Sequence, residues 1–206
     1  MRIKLTANAG VLIEMDSIRI LLDGVCEKTE YYFGTPDEIK RELSEDFPDA
    51  VGFTHKHSDH FDESYANLYK LSTLRPILGS ECSALKVGNV SLSAVKTRHL
   101  GKPKDEHFSF IIEGSSRIFF MGDASPSELS KLSEFGKPDV LIVPFAYLNT
   151  EAALKLTKKT GADEIILVHM PDRNRDPYKL WDAVENTTKH EKFRYFTKIG
   201  DTITLQ

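Results

Sequence analysis

The chain has 206 residues, of which 40% are hydrophobic and 28% charged, and the aromatic residues are 12 Phe, 7 Tyr and 1 Trp. This composition is typical of a globular protein with a sizeable core, and it excludes a disordered, collagen-like or disulfide-scaffold protein. Subtracting 31 acidic from 27 basic side chains leaves a net charge of −4, which excludes a protein that coats nucleic acid through its overall field. We predict a single domain over residues 1–206.

The cysteines and the apolar runs predict a cytoplasmic protein with no membrane association. Cys26 and Cys82 lie far apart in the chain and in no CxxC spacing, which is typical of reduced thiols. Residues 1–10 lack the continuous apolar segment of a secretory signal. The longest apolar run, Val140 to Leu148, is interrupted by Pro144 and is too short to span a bilayer.

Short runs of apolar, β-branched and aromatic residues predict twelve strands along the chain. In chain order they are Arg2–Thr6, Gly10–Met15, Ile18–Asp23, Ala50–Thr54, Pro76–Leu78, Val90–Thr97, Phe108–Glu113, Arg117–Met121, Val140–Phe145, Glu164–Val168, Phe193–Ile199 and Thr202–Leu205. Hairpin strands dominate the first third, and strands alternate with helices afterwards. This order favours an α+β fold in which helices cover packed sheets.

Helices are predicted between these strands. Residues 35–38 and 125–128 carry the same start signal, with a hydroxyl N-cap, Pro at N1 and Glu at N3. After the first start, Ile39, Leu43 and Phe47 would share one apolar face. Further helices are predicted at Glu63–Ser72, at Thr150–Lys159 and from Asp176 to about Lys189.

The strongest chemical signal is a hexapeptide that follows the apolar strand Ala50–Thr54. It holds four ligand-type residues, His55, His57, Asp59 and His60. In extended geometry alternate side chains point to one side, so His55 and His57 can close on one ion, while the other two face a second position beyond a turn. Crowding imidazoles without a metal is unfavourable, because they repel when protonated and lose solvation when buried. The alternative is a surface metal-scavenging tract, but such tracts are of low complexity.

Three more ligand-type residues stand at the carboxyl ends of apolar strands: His99, Asp123 and His169. Taken alone, each has an ordinary explanation, such as a turn residue for Asp123. Their repeated placement favours one shared site, because strand ends converge and hold ligands more rigidly than loops do. Asp23 is read equally as a hydrogen-bond partner of the motif or as a plain turn residue. The two histidines outside this setting, His107 and His190, are read as structural.

This ordered set of seven positions resembles the metallo-β-lactamase superfamily, and the likeness extends from the opening hairpins with Asp23-Gly24 to the strand that ends in His169. The resemblance implies a four-layer αββα sandwich with a dinuclear metal site at one edge of the sheets. It also implies His55, His57 and His99 on the first ion, Asp59, His60 and His169 on the second, and Asp123 between them. Residues 144–150 are similar to the branch containing L-ascorbate-6-phosphate lactonase, although Phe145 is bulkier than the residues usual there.

These residues predict two divalent metal ions, with Zn²⁺ preferred and Mn²⁺ or Fe²⁺ as alternatives. Two such ions roughly 3.5–4 Å apart can hold a bridging hydroxide at neutral pH, which would cleave an ester, lactone or phosphodiester bond. Asp59 is the candidate catalytic residue, because it can orient the nucleophile or move its proton. We therefore predict a metal-dependent hydrolase of the lactonase or phosphodiesterase type.

Cations near the proposed ligands favour a small anionic metabolite as the substrate, although interleaved acidic residues are also typical of ordinary charged loops. Arg98, Arg173 and Tyr147 are the candidate substrate-binding residues. Tyr147 has the alternative of simply packing beside Pro144. No nucleic-acid or membrane partner is expected, and the sequence leaves the oligomeric state open.

Other functions on the same fold are weighed against hydrolysis. The main alternative is an iron-dependent persulfide dioxygenase or another redox enzyme; the flavodiiron type normally has Glu where His57 stands. A non-catalytic binding protein is disfavoured because no ligand position has been lost. The net charge disfavours tRNA 3′-processing, and the lack of a signal segment disfavours β-lactam hydrolysis.

Overall fold

A computed structural model describes residues 1–189 and 193–205. That part of the chain contains twelve strands, five α-helices and four short 3₁₀ turns. The strands are β1 (Arg2–Leu5), β2 (Val11–Met15), β3 (Ile18–Leu22), β4 (Ala50–Gly52), β5 (Ala84–Val87), β6 (Val90–Arg98), β7 (Glu106–Glu113), β8 (Arg117–Phe120), β9 (Val140–Pro144), β10 (Glu164–Val168), β11 (Phe193–Tyr195) and β12 (Thr202–Thr204). The helices are α1 (Asp37–Glu45), α2 (Glu63–Thr73), α3 (Leu129–Leu132), α4 (Glu151–Lys159) and α5 (Leu180–Thr188).

The strands form two mixed sheets. The first has the order β12-β1-β2-β3-β4 and is antiparallel except for the parallel pair β3–β4. The second has the order β11-β10-β9-β8-β7-β6-β5; the strands from β8 to β11 pair in parallel and the rest are antiparallel. Parallel pairing sends the carboxyl ends of β8, β9 and β10 to one edge, which is where the candidate site lies.

Three apolar clusters define four layers. The largest lies between the sheets and takes one face of each, with residues such as Ile13, Phe110 and Ile142. The second packs α3, α4 and α5 on the outer face of the larger sheet, and the third packs α1 and α2 on the outer face of the smaller one. Strands buried on both faces explain the continuous apolar runs in the sequence. The αββα sandwich implied by the resemblance is confirmed.

Most predicted strands match the observed ones to within one or two residues, although the run predicted at Phe193–Ile199 ends as a strand at Tyr195. Two other regions differ more. Pro76–Leu78 is not a strand: Leu78 makes only isolated bridges to Gly52 and Cys82. Ala84–Val87 is a strand that the sequence analysis did not predict. Its side chains alternate between exposed and half-buried at the edge of the larger sheet, so it lacks the apolar run that marks an internal strand.

Neither predicted hydroxyl makes a cap bond, although Ser125 does stand at the predicted N-cap position. Helix α1 begins with Pro36 as its N-cap, and the Thr35 hydroxyl instead accepts from the Cys26 N–H and donates to the Gly24 carbonyl. The second signal starts a 3₁₀ turn at Pro126–Glu128 followed by the single turn α3, and Ser125 makes no side-chain cap bond. Local motifs were outweighed in both places by tertiary contacts of the hydroxyl or the chain.

The last predicted helix is confirmed over Leu180–Thr188 as α5, with Trp181 and Val184 buried, while residues 173–175 form a 3₁₀ turn before it. His190, read from the sequence as structural, lies outside the described residues. Within the described ranges, no helix is both long enough and apolar enough to cross a bilayer.

Candidate metal centre

Four strand ends deliver the seven predicted ligands to one edge of the sandwich. The hexapeptide follows β4, His99 follows β6, Asp123 stands three residues after β8, and His169 follows β10. An isolated bridge between His99 and Ala124 joins the β6 and β8 ends directly. The strands fix the backbone where each ligand-bearing segment begins.

The first group brings together His55, His57 and His99. One ligand atom from each lies within 4.8 Å of the others. The closest pair is His55 Nε2 and His57 Nδ1, which are 2.9 Å apart. The structure therefore brings together the three residues that the resemblance assigned to one ion.

The second group brings together Asp59, His60 and His169, again within 4.8 Å. Asp123 lies between the two groups: its Oδ2 is 3.4 Å from His60 Nε2, 3.5 Å from His169 Nε2 and 3.8 Å from His99 Nε2. The Asp59 Oδ2 is 3.4 Å from the same His169 nitrogen. Asp123 therefore lies where the resemblance places a residue between the two groups of ligands.

The ring nitrogens fit metal ions better than they fit their protein neighbours. The Nε2 atoms of His60, His99 and His169 are buried and make no hydrogen bond to any described residue. A buried ring nitrogen without a partner is unfavourable, whereas imidazole nitrogen and carboxylate oxygen are the donors that zinc and similar ions take. The donor set and its orphaned atoms are therefore consistent with a divalent metal centre.

Asp23 is fully buried and forms hydrogen bonds with the segment that carries the hexapeptide. Its Oδ1 accepts from the Thr54 N–H at 2.7 Å, and its Oδ2 accepts from the Thr54 hydroxyl at 2.6 Å and from His60 Nδ1 at 2.8 Å. Because the Thr54 hydroxyl donates to Asp23, it accepts from His55 Nδ1 at 3.0 Å. One carboxylate thus orients two imidazoles with Nε2 toward the site, so Asp23 is not a plain turn residue.

The charges at the site are strongly coupled. Burial lowers the pKa of His60 and of His169, but the carboxylate of Asp123, helped by Asp23 and Asp59 respectively, raises both pKa values to about 10. Burial would raise the pKa of Asp123, yet the two histidines hold it well below its usual range. The carboxylates therefore favour positive charge beside them, and metal ions bound by histidine and aspartate supply such charge.

His107, read as structural from the sequence, positions Asp123. Its ring is fully buried, and Nε2 accepts from the Asp123 N–H at 3.0 Å. Burial lowers the pKa of His107 to about 3, so the ring is neutral and Nδ1 carries the hydrogen toward the Thr97 hydroxyl at 2.8 Å. The chain continues from Thr97 to Ser109 and ends on the Met121 carbonyl. The role of His107 depends on its pairing with Thr97 across β6 and β7. Predicting that role from the sequence would have required the register of these two strands.

Gly122 lets the chain reach Asp123. It has φ +52°, and a Cβ there would lie 2.6–2.8 Å from the side chain of Thr54. Only glycine meets both requirements at no cost. The turn is therefore pressed directly against the residue that Asp23 holds.

An open cleft of about 700 Å³ lies in front of the ligands. Besides the ligands, Tyr32, Lys56, Leu100 and Lys102 line it. The Tyr32 ring meets the His169 ring edge-on, with centroids 4.4 Å apart. Tyr32 belongs to a loop whose sequence contains no motif that predicts a role.

That loop, residues 26–35, closes on itself. At its neck the Thr35 N–H donates to the Cys26 carbonyl at 3.1 Å. Its body is attached to both halves of the site, because the Glu27 N–H donates to Ser58 and the Asp172 N–H donates to Tyr31. The loop therefore carries Tyr32 to the cleft without support from a strand.

The three candidate substrate-binding residues are placed differently, outside the residues that line the cleft. Tyr147 is fully buried and donates its hydroxyl to the Ala124 carbonyl. Arg98 donates to the Ser127 hydroxyl, and Arg173 stacks over the Trp181 ring at 3.8 Å. The structure does not bring these three side chains together with the ligand cluster.

The family follows from the sequence match. A model described as the beta-lactamase superfamily domain matches residues 2–169, which include all seven candidate ligands. The chain belongs to the metallo-β-lactamase superfamily, and its cluster of histidines and aspartates is a candidate metal site in that fold. No curated protein matches the sequence.

Solved structures share the fold at low identity. A candidate metal-dependent hydrolase from Veillonella parvula has a TM-score of 0.71 at 16% identity, covering 100% of this chain and 99% of its own. A candidate Zn-dependent hydrolase of the metallo-β-lactamase superfamily from Thermotoga maritima has a TM-score of 0.60 at 20% identity, covering 99% and 91%. CmlA, a diiron β-hydroxylase from Streptomyces venezuelae, has a TM-score of 0.60 at 13% identity, covering 99% and 54%. At these identities the likeness shows the fold alone.

Proposed function

We propose that this protein is a metal-dependent hydrolase that uses two divalent ions, preferentially Zn²⁺, to cleave an ester, lactone or phosphodiester bond of a small anionic metabolite. One observation carries the proposal: three buried imidazole nitrogens without partners converge on Asp123 at the floor of an open cleft. Ions held there would lower the pKa of water and polarise the scissile bond.

The residues of the chain divide the remaining work. His55, His57 and His99 would hold one ion, Asp59, His60 and His169 the other, and Asp123 would contact both. Asp59 is the carboxylate among the four hexapeptide ligands, and its side chain lines the cleft. We assign to its free oxygen the orientation of water or the movement of a proton, which is the less direct of its two roles.

The cleft favours an anionic substrate. Lys56 and Lys102 line it, and neither forms an ion pair with any residue that the structure describes. They take the place of the more distant Arg98 and Arg173 as the cations that a substrate would meet. The likeness to the L-ascorbate-6-phosphate lactonase branch rests on residues 144–150, so it supports a lactone only as one member of the proposed class.

A redox enzyme is the second candidate, because the diiron β-hydroxylase shows that the fold also carries iron. His57 argues only against the flavodiiron type, which normally has Glu at that position, because a dioxygenase would keep the whole hexapeptide. The identity of the bound metal separates the two candidates.

The test is elemental analysis of protein isolated without added metal, paired with a hydrolysis screen of lactones, phosphodiesters and esters on the same sample. The proposed hydrolase function predicts about two zinc ions per chain and turnover of at least one substrate class. Lys96→Ala, a change on the exposed part of β6, is the control and should match the wild type. Iron as the bound metal with no hydrolysis would overturn the proposal in favour of a redox enzyme.

A further inference from the structure

A second cavity, of about 660 Å³, adjoins the metal cleft. The two cavities share Lys56 and His57, so the hexapeptide forms the wall between them. A volume of this size falls in the range that binds small molecules. Nothing in the candidate chemistry described above uses it.

Aromatic side chains form the floor of this cavity. Phe53 and Phe61 meet edge-on with centroids 5.0 Å apart, and Phe108 completes the set. Ile77 and Ala66 add buried apolar surface. The floor is therefore suited to an aromatic ring, which can pack edge-to-face against these side chains.

The backbone holds this floor in place. The Phe108 N–H donates to the Thr54 carbonyl at 2.8 Å, which ties the start of β7 to the segment leading into the metal motif. The Phe108 ring lies against Gly79, where an added Cβ would be 3.4 Å from the ring and 2.9 Å from the Phe53 carbonyl oxygen. Gly79 has φ +99°, so this position also requires glycine.

Charge surrounds the mouth where the two cavities meet. His57 Nε2 is 2.9 Å from Asp105 Oδ2, and this contact forms a ridge between the cavities. Lys56 and Lys104 line the aromatic cavity, and within the described ranges neither is engaged in an ion pair. Of the carboxylates in the same lining, Glu81 and Glu106 are paired with lysines, and Asp105 contacts His57. A negative group of a ligand would thus meet cations at the mouth while an apolar group enters the pocket.

We propose that the aromatic cavity binds the apolar, ring-bearing end of the substrate while the bond to be cleaved lies in the metal cleft. This proposal rests on the proposed function and narrows its substrate class to anionic metabolites with an aromatic end. Polar hydrolase substrates without such a ring would leave the half-buried Phe61 and Phe108 side chains in contact with water.

The test is calorimetric titration of the zinc-loaded protein with 4-phenylbutyrate and with butyrate. The two probes carry the same carboxylate and differ by the phenyl ring. Burial of that ring predicts that phenylbutyrate binds about tenfold more tightly, or better. Equal affinity of the two probes for the wild type would overturn the proposal.

Variants locate the effect. Asn67→Trp adds a large side chain to an exposed position of α2 that lines the cavity, and Ser64→Trp adds it to an exposed position of α2 that does not. Asn67→Trp and, as a second variant, Phe108→Ala should abolish the advantage of phenylbutyrate, while Ser64→Trp keeps it. Zinc content and butyrate affinity should stay unchanged in all three. An advantage that survives in both cavity variants would overturn the proposal.

The titration requires no turnover. A protein that binds phenylbutyrate preferentially yet hydrolyses none of the screened bonds would refute the proposed function and leave the aromatic pocket established. A protein that hydrolyses small esters but shows no preference for the ring would support the proposed function and refute the aromatic pocket.

Discussion

The ligand cluster and the cleft in front of it are built in different ways. The ligands stand at strand ends, and the four histidines His55, His60, His99 and His169 are no more than 6% exposed. The cleft is lined by Tyr32, Lys56 and Lys102, which lie on loops. The contrast indicates that the sheets set the chemistry, whereas the loops set what reaches it. Changes in the first region should abolish metal binding, and changes in the second should alter affinity for the substrate alone.

The largest effect is expected for Asp123→Ala, which removes the carboxylate that three imidazoles face. Metal affinity should fall by more than about 100-fold, beyond the range usual for residues that only support ligands, and hydrolysis should be lost. His57→Ala should lower metal content in the same direction. Metal titration followed by elemental analysis measures both, with Lys96→Ala as the control. Unchanged metal content in both variants would refute the proposed dinuclear centre.

Asp23→Ala should come next, because it leaves three buried donors on Thr54 and His60 without an acceptor. Removal of one partner from such a buried network costs about 3–5 kcal/mol in the free energy of unfolding. Metal affinity should also fall, by roughly 10–100-fold, since the orientation of two ligands is lost. Urea unfolding with and without zinc separates these effects. If stability falls but metal affinity does not, Asp23 only supports the fold.

His107→Phe tests whether a residue outside the ligand set controls Asp123. The ring volume is largely kept, but the Asp123 N–H loses its acceptor and the Thr97 hydroxyl keeps only Ser109, which costs about 1–3 kcal/mol of stability. Metal affinity should fall about tenfold, which a purely structural role would not cause. His107→Gln can restore an acceptor and should recover part of the affinity. Wild-type metal affinity in His107→Phe would show that the Asp123 position does not depend on this bond.

The smallest effect is expected in the loop region, for Lys102→Ala. Lys102 is exposed and forms no ion pair within the described residues, and its Nζ lies 3.4 Å from His57 Nε2. Zinc content and unfolding free energy should match the wild type, because the other His57 nitrogen, Nδ1, is the one that faces His55. The KM for an anionic substrate should rise a few-fold, and the difference should shrink at high salt. Lys86→Ala, on β5, is the matched control. A change in zinc content would show that loop residues also affect metal binding, contrary to the division between strand ends and loops.

The sequence predicted the strand ends well, because buried strands leave apolar runs and the ligand types that follow them are few. The same logic failed where long-range contacts decide. Thr35 looked like a helix cap, but its hydroxyl is taken by Cys26 and Gly24 across a loop neck. The role of His107 depends on the register between β6 and β7, and the aromatic cavity depends on residues from four separate segments. None of these relations is visible in local periodicity.

The neck between Cys26 and Thr35 has a consequence for how this scaffold can diversify. Since the chain returns to its starting point before α1 begins, the segment between Glu27 and Thr35 can change in length or sequence without displacing Asp23 or the helix, as long as Glu27 keeps its bond to Ser58. The loop can therefore be exchanged as a unit while the metal ligands stay in place. Grafting loops of other lengths here is a direct route to new substrate ranges from one catalytic frame.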